Sequence, residues 1–400
     1  MKKLYYENQY IKDFKAEIVD IKEKDGMFHV VLDETAFFPG GGGQHCDKGT
    51  IDKYNVIDVY EDDGVVYHVV DKKPLKIHKV PCSIDWANRF DGMQQHLGQH
   101  VLSGCFYELF NANTFGFHLG REICTVDIEG QLDDEKIRAA EQKANEVIFN
   151  NHKVIFTFPT KSELKKLRLR RALPNTNEEI RVVEIEDLDL NACCGVHPSS
   201  TLELQMIKIK RWEKHKQGVR IEFVAGKRAI ENAFEKDRFA KNICTYLKCG
   251  EQDAVNTIKK LSDNVKELVD SNKKLLVDIG EYKIKEMMDS ATKFGDITVV
   301  KVIYEDGDVK QANKILTKLV ENENTMALFA VRAGERANLM FACSKNLKQV
   351  NMSDLLKDAI SLIDGKGGGS PVAAQGAGKN NSNLDSAMDY AFMRVKNTLS

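Results

Sequence analysis

The segment Met93-Gln94-Gln95-His96-Leu97-Gly98-Gln99-His100-Val101-Leu102-Ser103 lies inside a stretch, Trp86 to about Phe110, where Met93, Leu97, Val101 and Leu102 recur at helical spacing. On such a helix His96 and His100 project from one face, about a turn apart. That is chelating geometry for a metal ion. A second pair, Cys193-x-x-x-His197, falls on a glycine-containing turn far along the chain. Either pair alone is a weak signal. Together they offer three imidazoles and one thiolate, a donor set that suits Zn²⁺. Purely structural zinc sites are usually built from short thiolate-rich knuckles. A set made mostly of imidazole and drawn from two remote segments points instead to a functional ion, one per chain.

Upstream, Phe28 to Leu32, Tyr54 to Tyr60 and Val65 to Val70 read as strands, with Asp63-Gly64 as a hairpin turn. The run Gly40 to Gly43 between them lacks the Lys-Ser/Thr of a nucleotide-binding P-loop, and no helical pattern follows it. It reads as a turn or a close-approach loop. Downstream come short strands (Thr125 to Ile128, Val154 to Phe158, Ile180 to Ile185, Leu202 to Lys208, Val219 to Val224) and a helix from Asp134 to about Asn150. This mixed order predicts an α+β, multidomain fold. From Ile258 the apolar positions Ile258, Leu261, Val265, Leu268, Leu275, Ile279 and Tyr282 form a heptad seam interrupted by Asn272. Such a seam suits a coiled coil, and a homodimer through residues 255–286 is one expectation; a long helix packed on its own domain is the other. After Gly295 the pattern is strand, helix, two strands, helix, a loop from Gly365 to Ser370, and a final helix to about Leu399.

The chain has 400 residues, enough for two or three domains, and its 42% hydrophobic content with seven prolines excludes wholesale disorder. No apolar run approaches the ~20 residues of a membrane span, which predicts a cytoplasmic protein without membrane contact. Nine cysteines form an odd number without repeating spacing, so no disulfide framework is expected. With 58 Lys+Arg against 60 Asp+Glu, any nucleic-acid contact must come from local patches. Two candidates are Lys161 to Arg171, including Lys165, Arg168, Arg170 and Arg171, and Lys208 to Arg220.

The two metal-binding segments, His96 to His100 and Cys193-Cys194-Gly195-Val196-His197, resemble the zinc motifs of AlaX-type alanyl-tRNA editing proteins and of the editing domain of alanyl-tRNA synthetase. Thr35-Ala36-Phe37-Phe38-Pro39-Gly40-Gly41-Gly42-Gly43-Gln44, with Asp47 and Gly49, is similar to that family's glycine-rich barrel motif. Arg220 to Gly226 resembles the strand closing the editing domain, and Gly367 to Gly378 the glycine motif of DHHA1-type domains. The motifs are collinear over essentially the whole chain, which looks like the long form. Two departures stand out: Cys194 replaces the family's usual glycine, and His45 its usual proline. Only Cys193 keeps the family gap to His197.

The resemblance implies a glycine-motif β-barrel domain at 1–85, a zinc-dependent editing domain at 86–228, a helical or coiled-coil arm at 229–294 and an α/β DHHA1-like tRNA-binding domain at 295–400. No segment is left for an aminoacylation domain, so a complete synthetase is not expected. The implied activity is deacylation of tRNA(Ala) mischarged with serine, and also with glycine. Thr35 is the implied contact to the serine hydroxyl, with Gln44 as a second catalytic candidate, and Lys366 a contact to the tRNA body. A site that hydrogen-bonds that hydroxyl would reject alanine, because the site's own polar groups would be left unpaired. Four protein ligands fill a tetrahedron, so either the coordination expands, one ligand loosens, or zinc only orients the substrate. Two other readings compete: a tRNA-binding or scaffold protein with purely structural zinc, and a zinc hydrolase of small esters or amides, which has no obvious use for an RNA-gripping domain.

Overall fold

A computed structural model describes residues 1–74, 79–173 and 179–400 of the chain. Along Tyr54–Asp62 the side chains of Tyr54, Val56 and Val59 turn inward, and a bulge between Val56 and Asp58 shifts the alternation by one residue. The next turn puts Asp63 at φ 47 and Gly64 at φ 75, the left-handed pair of a tight hairpin. These strands belong to a ring in the order Asp13–Lys24, Met27–Leu32, Val65–Val70, Tyr54–Asp62, Gly49–Ile51 and Lys79–Ile84. The last strand pairs back with the first, which closes the barrel. Ala16, Ile18, Val30, Leu32, Val66 and Val80 fill its interior.

The helix Trp86–Phe110 starts at Asp85, whose side chain accepts from the Asn88 N–H, and ends at Asn111 in the left-handed conformation. Met93, Leu97, Val101, Leu102, Cys105 and Phe106 are fully buried along it. Burying each large apolar side chain contributes roughly 1.5–3 kcal/mol. Most of this stripe packs into the core shared by the helix Asp134–Phe149 and a four-stranded sheet, ordered Ile207–His215, Gly218–Ala225, Cys124–Glu129, Thr114–Leu119. A separate antiparallel sheet of Val154–Thr157, Val182–Ile185 and Asp189–Ala192 leads directly into the Cys193–His197 turn.

The contacts divide the chain into Met1–Glu251 and Gln252–Ser400. In the second unit a six-stranded sheet, ordered Thr292–Phe294, Ile297–Tyr304, Thr325–Ala333, Arg336–Cys343, Ala373–Gly378, Lys366–Gly369, has the helix Val309–Leu319 on one face. The helices Met352–Ile360 and Leu384–Leu399 cover the other face. In the long helix Glu251–Asp289, Ile258, Leu261, Val265, Leu268, Leu275, Ile279 and Tyr282 are exposed, whereas Ile284, Met287 and Met288 pack on the second unit's core.

These findings correct the expected fold class. Residues 1–85 and 86–228 fall in one compact unit, within which the barrel has a core of its own. The 229–294 arm is not one element: the helix Lys227–Leu247 belongs to the first unit and Glu251–Asp289 to the second. The C-terminal sheet is not of α/β type, since only Ile297–Tyr304 with Thr325–Ala333 pairs in parallel. Leu202 to Lys208 is not one strand but the 3₁₀ turn Thr201–Leu204 followed by the strand Ile207–His215. The glycine-rich Lys366–Gly369 is an edge strand rather than a loop, its backbone paired with Ala374 to Ala377. Among the described residues no helix is long and apolar enough to cross a membrane.

Thr35 lies inside this framework. Its Oγ1 is 2.8 Å from His68 Nε2, and His68 Nδ1 is 2.9 Å from the Val30 carbonyl oxygen. A carbonyl can only accept, so Nδ1 carries the proton and Nε2 accepts from the Thr35 hydroxyl. Burial pushes the His68 pKa down to about 4 from 6.5. Above pH ~6.5 both folded and unfolded chains hold it neutral. Below that, the unfolded chain takes up a proton that the folded chain refuses, so stability falls, by about 3 kcal/mol once pH reaches ~4. Unfolding of the first unit followed by urea titration from pH 7 to pH 4 should show this slope, and His68→Gln should flatten it; an unchanged slope in the variant would show that His68 is not its source.

Candidate metal centre

His96 and His100 project from the buried face of the Trp86–Phe110 helix towards the turn that follows Asp189–Ala192. There the Cys193 Sγ lies 3.4 Å from His96 Nε2 and 3.8 Å from His197 Nε2. The four donor atoms of His96, His100, Cys193 and His197 lie within 4.8 Å of one another. Two of the rings are oriented from behind. His96 Nδ1 is 3.1 Å from the Gln44 Oε1, and His100 Nδ1 is 3.1 Å from the Asp189 Oδ2. Each acceptor holds the proton on Nδ1 and leaves Nε2 for the centre of the cluster, the arrangement that supports histidine ligation.

The clustered groups shift one another's protonation. Burial alone would raise the Cys193 thiol, but the imidazoles of His96 and His197, with hydrogen bonds from His100 and His197, hold it well below its ordinary value. Burial would lower His100, yet its bonds to Asp189 and Cys193 raise it to about 9. His197 is pushed well down, first by burial and then by His96. Burial would raise Asp189, but His100 and Arg170 lower it. Three imidazoles and a thiolate whose atoms already converge fit Zn²⁺.

The glycine run closes over this cluster. A Cβ at Gly42, where φ is +57, would lie 3.2 Å from His96 and 3.5 Å from the Cys193 Sγ. At Gly195 a Cβ would stand 2.2 Å from the His96 ring, so no side chain fits there. Gln44 links the parts: besides meeting His96, its Oε1 accepts from the Val196 N–H at 3.1 Å. Beside the cluster opens a cavity of about 510 Å³ whose lining includes His96, His100, Phe117, Arg171, Arg181 and Cys193.

Other sequence candidates are placed differently. Thr35 is fully buried with its hydroxyl engaged by His68 and by the Phe37 N–H, and it does not line this cavity. Arg170, read from the sequence as part of a phosphate-facing run, turns inward: its Nε is 2.6 Å from the Asp189 Oδ1, and its side chain is 4% exposed. Arg171 lies at the cavity with its guanidinium over the Phe117 ring, while Lys165 and Arg168 are exposed. Lys366 is exposed on its edge strand, in the second unit. In the Lys208–Arg220 run much of the charge is internally paired, Lys208 with Glu141, Lys210 and Arg211 with Glu222, and Arg220 with Asp127. His45 is exposed and sits near Arg121 and His118, away from the cluster.

Sequence reasoning missed Asp189 and Arg181. Asp189 carried no local signal, since its role arises only when the sheet brings it against the helix. Arg181 precedes a strand like many exposed arginines, yet it is buried and donates to the Cys193 and Gly195 carbonyls at 3.2 and 2.8 Å.

Barrel, helix and sheet turn meet at a His₃Cys cluster, and comparison with known proteins supplies the class of protein to which this arrangement belongs. Residues 180–222 match the family described as the Threonyl and Alanyl tRNA synthetase second additional domain, and residues 295–397 match the DHHA1 domain. The chain is 31% identical over 386 residues to the alanyl-tRNA editing protein AlaX-L of Pyrococcus horikoshii, covering 94% of both chains. It is 32% identical over 359 residues to the alanyl-tRNA editing protein Aarsd1 of Mus musculus, covering 89% of this chain and 85% of that one. It is also 29% identical to the alanine–tRNA ligase of Methanopyrus kandleri, over 95% of this chain but 43% of the ligase. The chain belongs to the AlaX-type family of alanyl-tRNA editing proteins and has the long form's arrangement.

The cluster distinguishes the adjacent thiols. Cys193→Ala should remove most of the bound zinc and Cys194→Ala should keep it, as read by metal analysis of purified protein; equal loss in both variants would show that the thiolate is wrongly assigned.

Proposed function

We propose that this chain is a trans-editing deacylase, a hydrolase that cleaves the carboxylic ester of tRNA(Ala) mischarged with serine, and also with glycine, at a zinc ion held by His96, His100, Cys193 and His197. The observation that carries the reading is the convergence of these four donors beside an open cavity, in a chain related to alanyl-tRNA editing proteins over nearly its full length. Bound there, zinc supplies a Lewis acid that polarises a carbonyl or lowers the pKa of a water molecule.

The chain's own groups do the rest. Gln44 and Asp189 fix the ring orientations of His96 and His100. Phe117 and Arg171 line the cavity and offer a ring face and a cation to a nucleotide end. Lys165 and Arg168 stand exposed in the same segment and engage phosphates, and Lys366 does so from the second unit. Thr35 acts as a positioning residue: its bonds to His68 and Phe37 anchor the chain that runs into the glycine loop, so its effect on substrate passes through that loop.

The test is hydrolysis of seryl-, glycyl- and alanyl-tRNA(Ala), with and without a chelator. Seryl- and glycyl-tRNA should be deacylated and alanyl-tRNA spared, with activity lost on zinc removal and restored by zinc. Zinc binding without deacylation would favour the scaffold reading. Thr35→Val, which deprives His68 of its donor, should slow serine and glycine substrates alike; a loss confined to serine would return Thr35 to direct contact with the hydroxyl.

The exposed seam of the Glu251–Asp289 helix takes a second copy of the chain in this reading, with Asn272 setting register. Sedimentation should give a dimer for the full chain, and Leu261→Lys with Leu268→Lys should give a folded monomer. A monomeric parent protein would refute the pairing.

A further inference from the structure

The Cys193-Cys194 doublet places two thiols at the same edge of the centre: from a Cβ built at Gly42, both Sγ atoms are 3.5 Å away. Distance to the glycine loop therefore does not decide which thiol belongs to the cluster. The backbone of the doublet does, and it is pinned at successive peptide groups. The Cys193 N–H donates to the Arg181 carbonyl at 3.0 Å. The Arg181 Nη1 donates to the carbonyls of Cys193 and Gly195, and the Tyr6 hydroxyl donates to the carbonyl between them, that of Cys194, at 2.7 Å. Arg181 and Tyr6 are themselves one unit. The guanidinium lies 5.0 Å from the Tyr6 ring centroid and 4.4 Å from that of Phe156.

Metal ligation does not by itself require a buried arginine at this turn. Arg181 is 6% exposed, and among the described residues its Nε has no hydrogen-bond partner. Burying a cation with one donor unmatched is costly unless its remaining donors and its charge serve the surroundings. Here the donors grip the carbonyls of Cys193 and Gly195, on either side of Cys194.

We propose that Arg181, together with Tyr6, is the positioning residue that selects the liganding thiol, holding the turn so that Cys193 enters the metal cluster and Cys194 faces outward. This rests on the zinc reading above. Without the clamp the turn can rotate about the doublet, and Cys194 competes for the same position.

The experiment is alkylation of the zinc-loaded full chain with iodoacetamide, mapped by mass spectrometry, alongside cobalt titration followed by thiolate-to-cobalt absorption. In the parent protein Cys194 should label and Cys193 should be protected. In Arg181→Gln the protection should be shared between the two thiols and cobalt affinity should fall by about ten-fold, the usual scale for an outer-shell residue. Arg181→Lys should recover part of both, because an ammonium still donates to carbonyls. Adding Cys194→Ala should weaken metal binding in the Arg181→Gln background but not in the parent. Tyr6→Phe, which keeps the ring and removes the donor to Cys194, should shift protection in the same direction, and it carries the test if Arg181→Gln fails to fold by circular dichroism. A folded variant with parental protection and cobalt spectrum would overturn the clamp. A parent protein in which zinc protects neither thiol would instead refute the metal reading itself.

Discussion

A guanidinium buried between barrel and helix decides where the centre can form. Arg89 is fully buried; its Nε stands 2.9 and 3.0 Å from the two Asp47 oxygens, and it also donates to the carbonyls of Gln9 and Ala36. Asp47 in turn accepts from the Phe38 N–H. Ala36 and Phe38 enter the glycine loop and Asp47 leaves it, so one side chain gathers both ends of the loop. Arg89 lies about two turns before His96 on the same helix face, which fixes the loop's height above the imidazoles. Removing either partner would strand a buried charge at a cost of about 3–5 kcal/mol. The loop's glycines then become necessary rather than decorative: Gly42 approaches His96 so closely because its ends are held down.

Charge inside the first unit is arranged by the same logic. Asp189 sits between His100 and Arg170, with the Asn191 amide also donating to its oxygens at 2.7 Å. A carboxylate so supplied stays ionised in a buried setting and keeps its grip on the imidazole. Arg170 is thereby spent on orienting a ligand rather than on phosphate. The guanidiniums that remain near the cavity, those of Arg171 and Arg181, lie against aromatic rings, which hold a cation in place without neutralising it. Arg171 therefore leaves positive charge at the cavity, whereas Arg181 is spent on the carbonyls of Cys193 and Gly195.

What the sequence made legible follows from how local each signal is. The two histidines on one helix face and the short Cys193 to His197 gap are set by helical and turn geometry, so their meeting could be read directly. The Asp63-Gly64 hairpin and the bounds of the Trp86–Phe110 helix were legible for the same reason. Asp13–Lys24 was not, because its outward face is crowded with charge and its register shifts between Ile18 and Asp20, which breaks the alternation of a strand. The basic runs gave no sign of which charges are paired internally. Arg170 is folded inward and Arg220 is held by Asp127, and neither partner is near in sequence. The engagement of Thr35 by His68 also spans the barrel, so a motif position could suggest proximity to the centre without revealing what the hydroxyl touches.

The supports around the four donors are unequal, and the inequality would bear on which of them could give way were a metal bound there. His96 is backed by the neutral amide of Gln44, His100 by a carboxylate that is itself held by Arg170, and the Cys193 backbone by Arg181. Among the described residues the buried His197 Nδ1 has no hydrogen-bond partner, and its ring is stacked on Phe156, with centroids 6.1 Å apart. An acceptor behind an imidazole fixes its orientation and raises its basicity as a ligand. His197 lacks that acceptor, and a rotation of its ring breaks no hydrogen bond on the far side. Were zinc held by these four residues and one of them to loosen, the unequal supports would place that loosening on His197, the donor supplied by the same turn that carries Cys193.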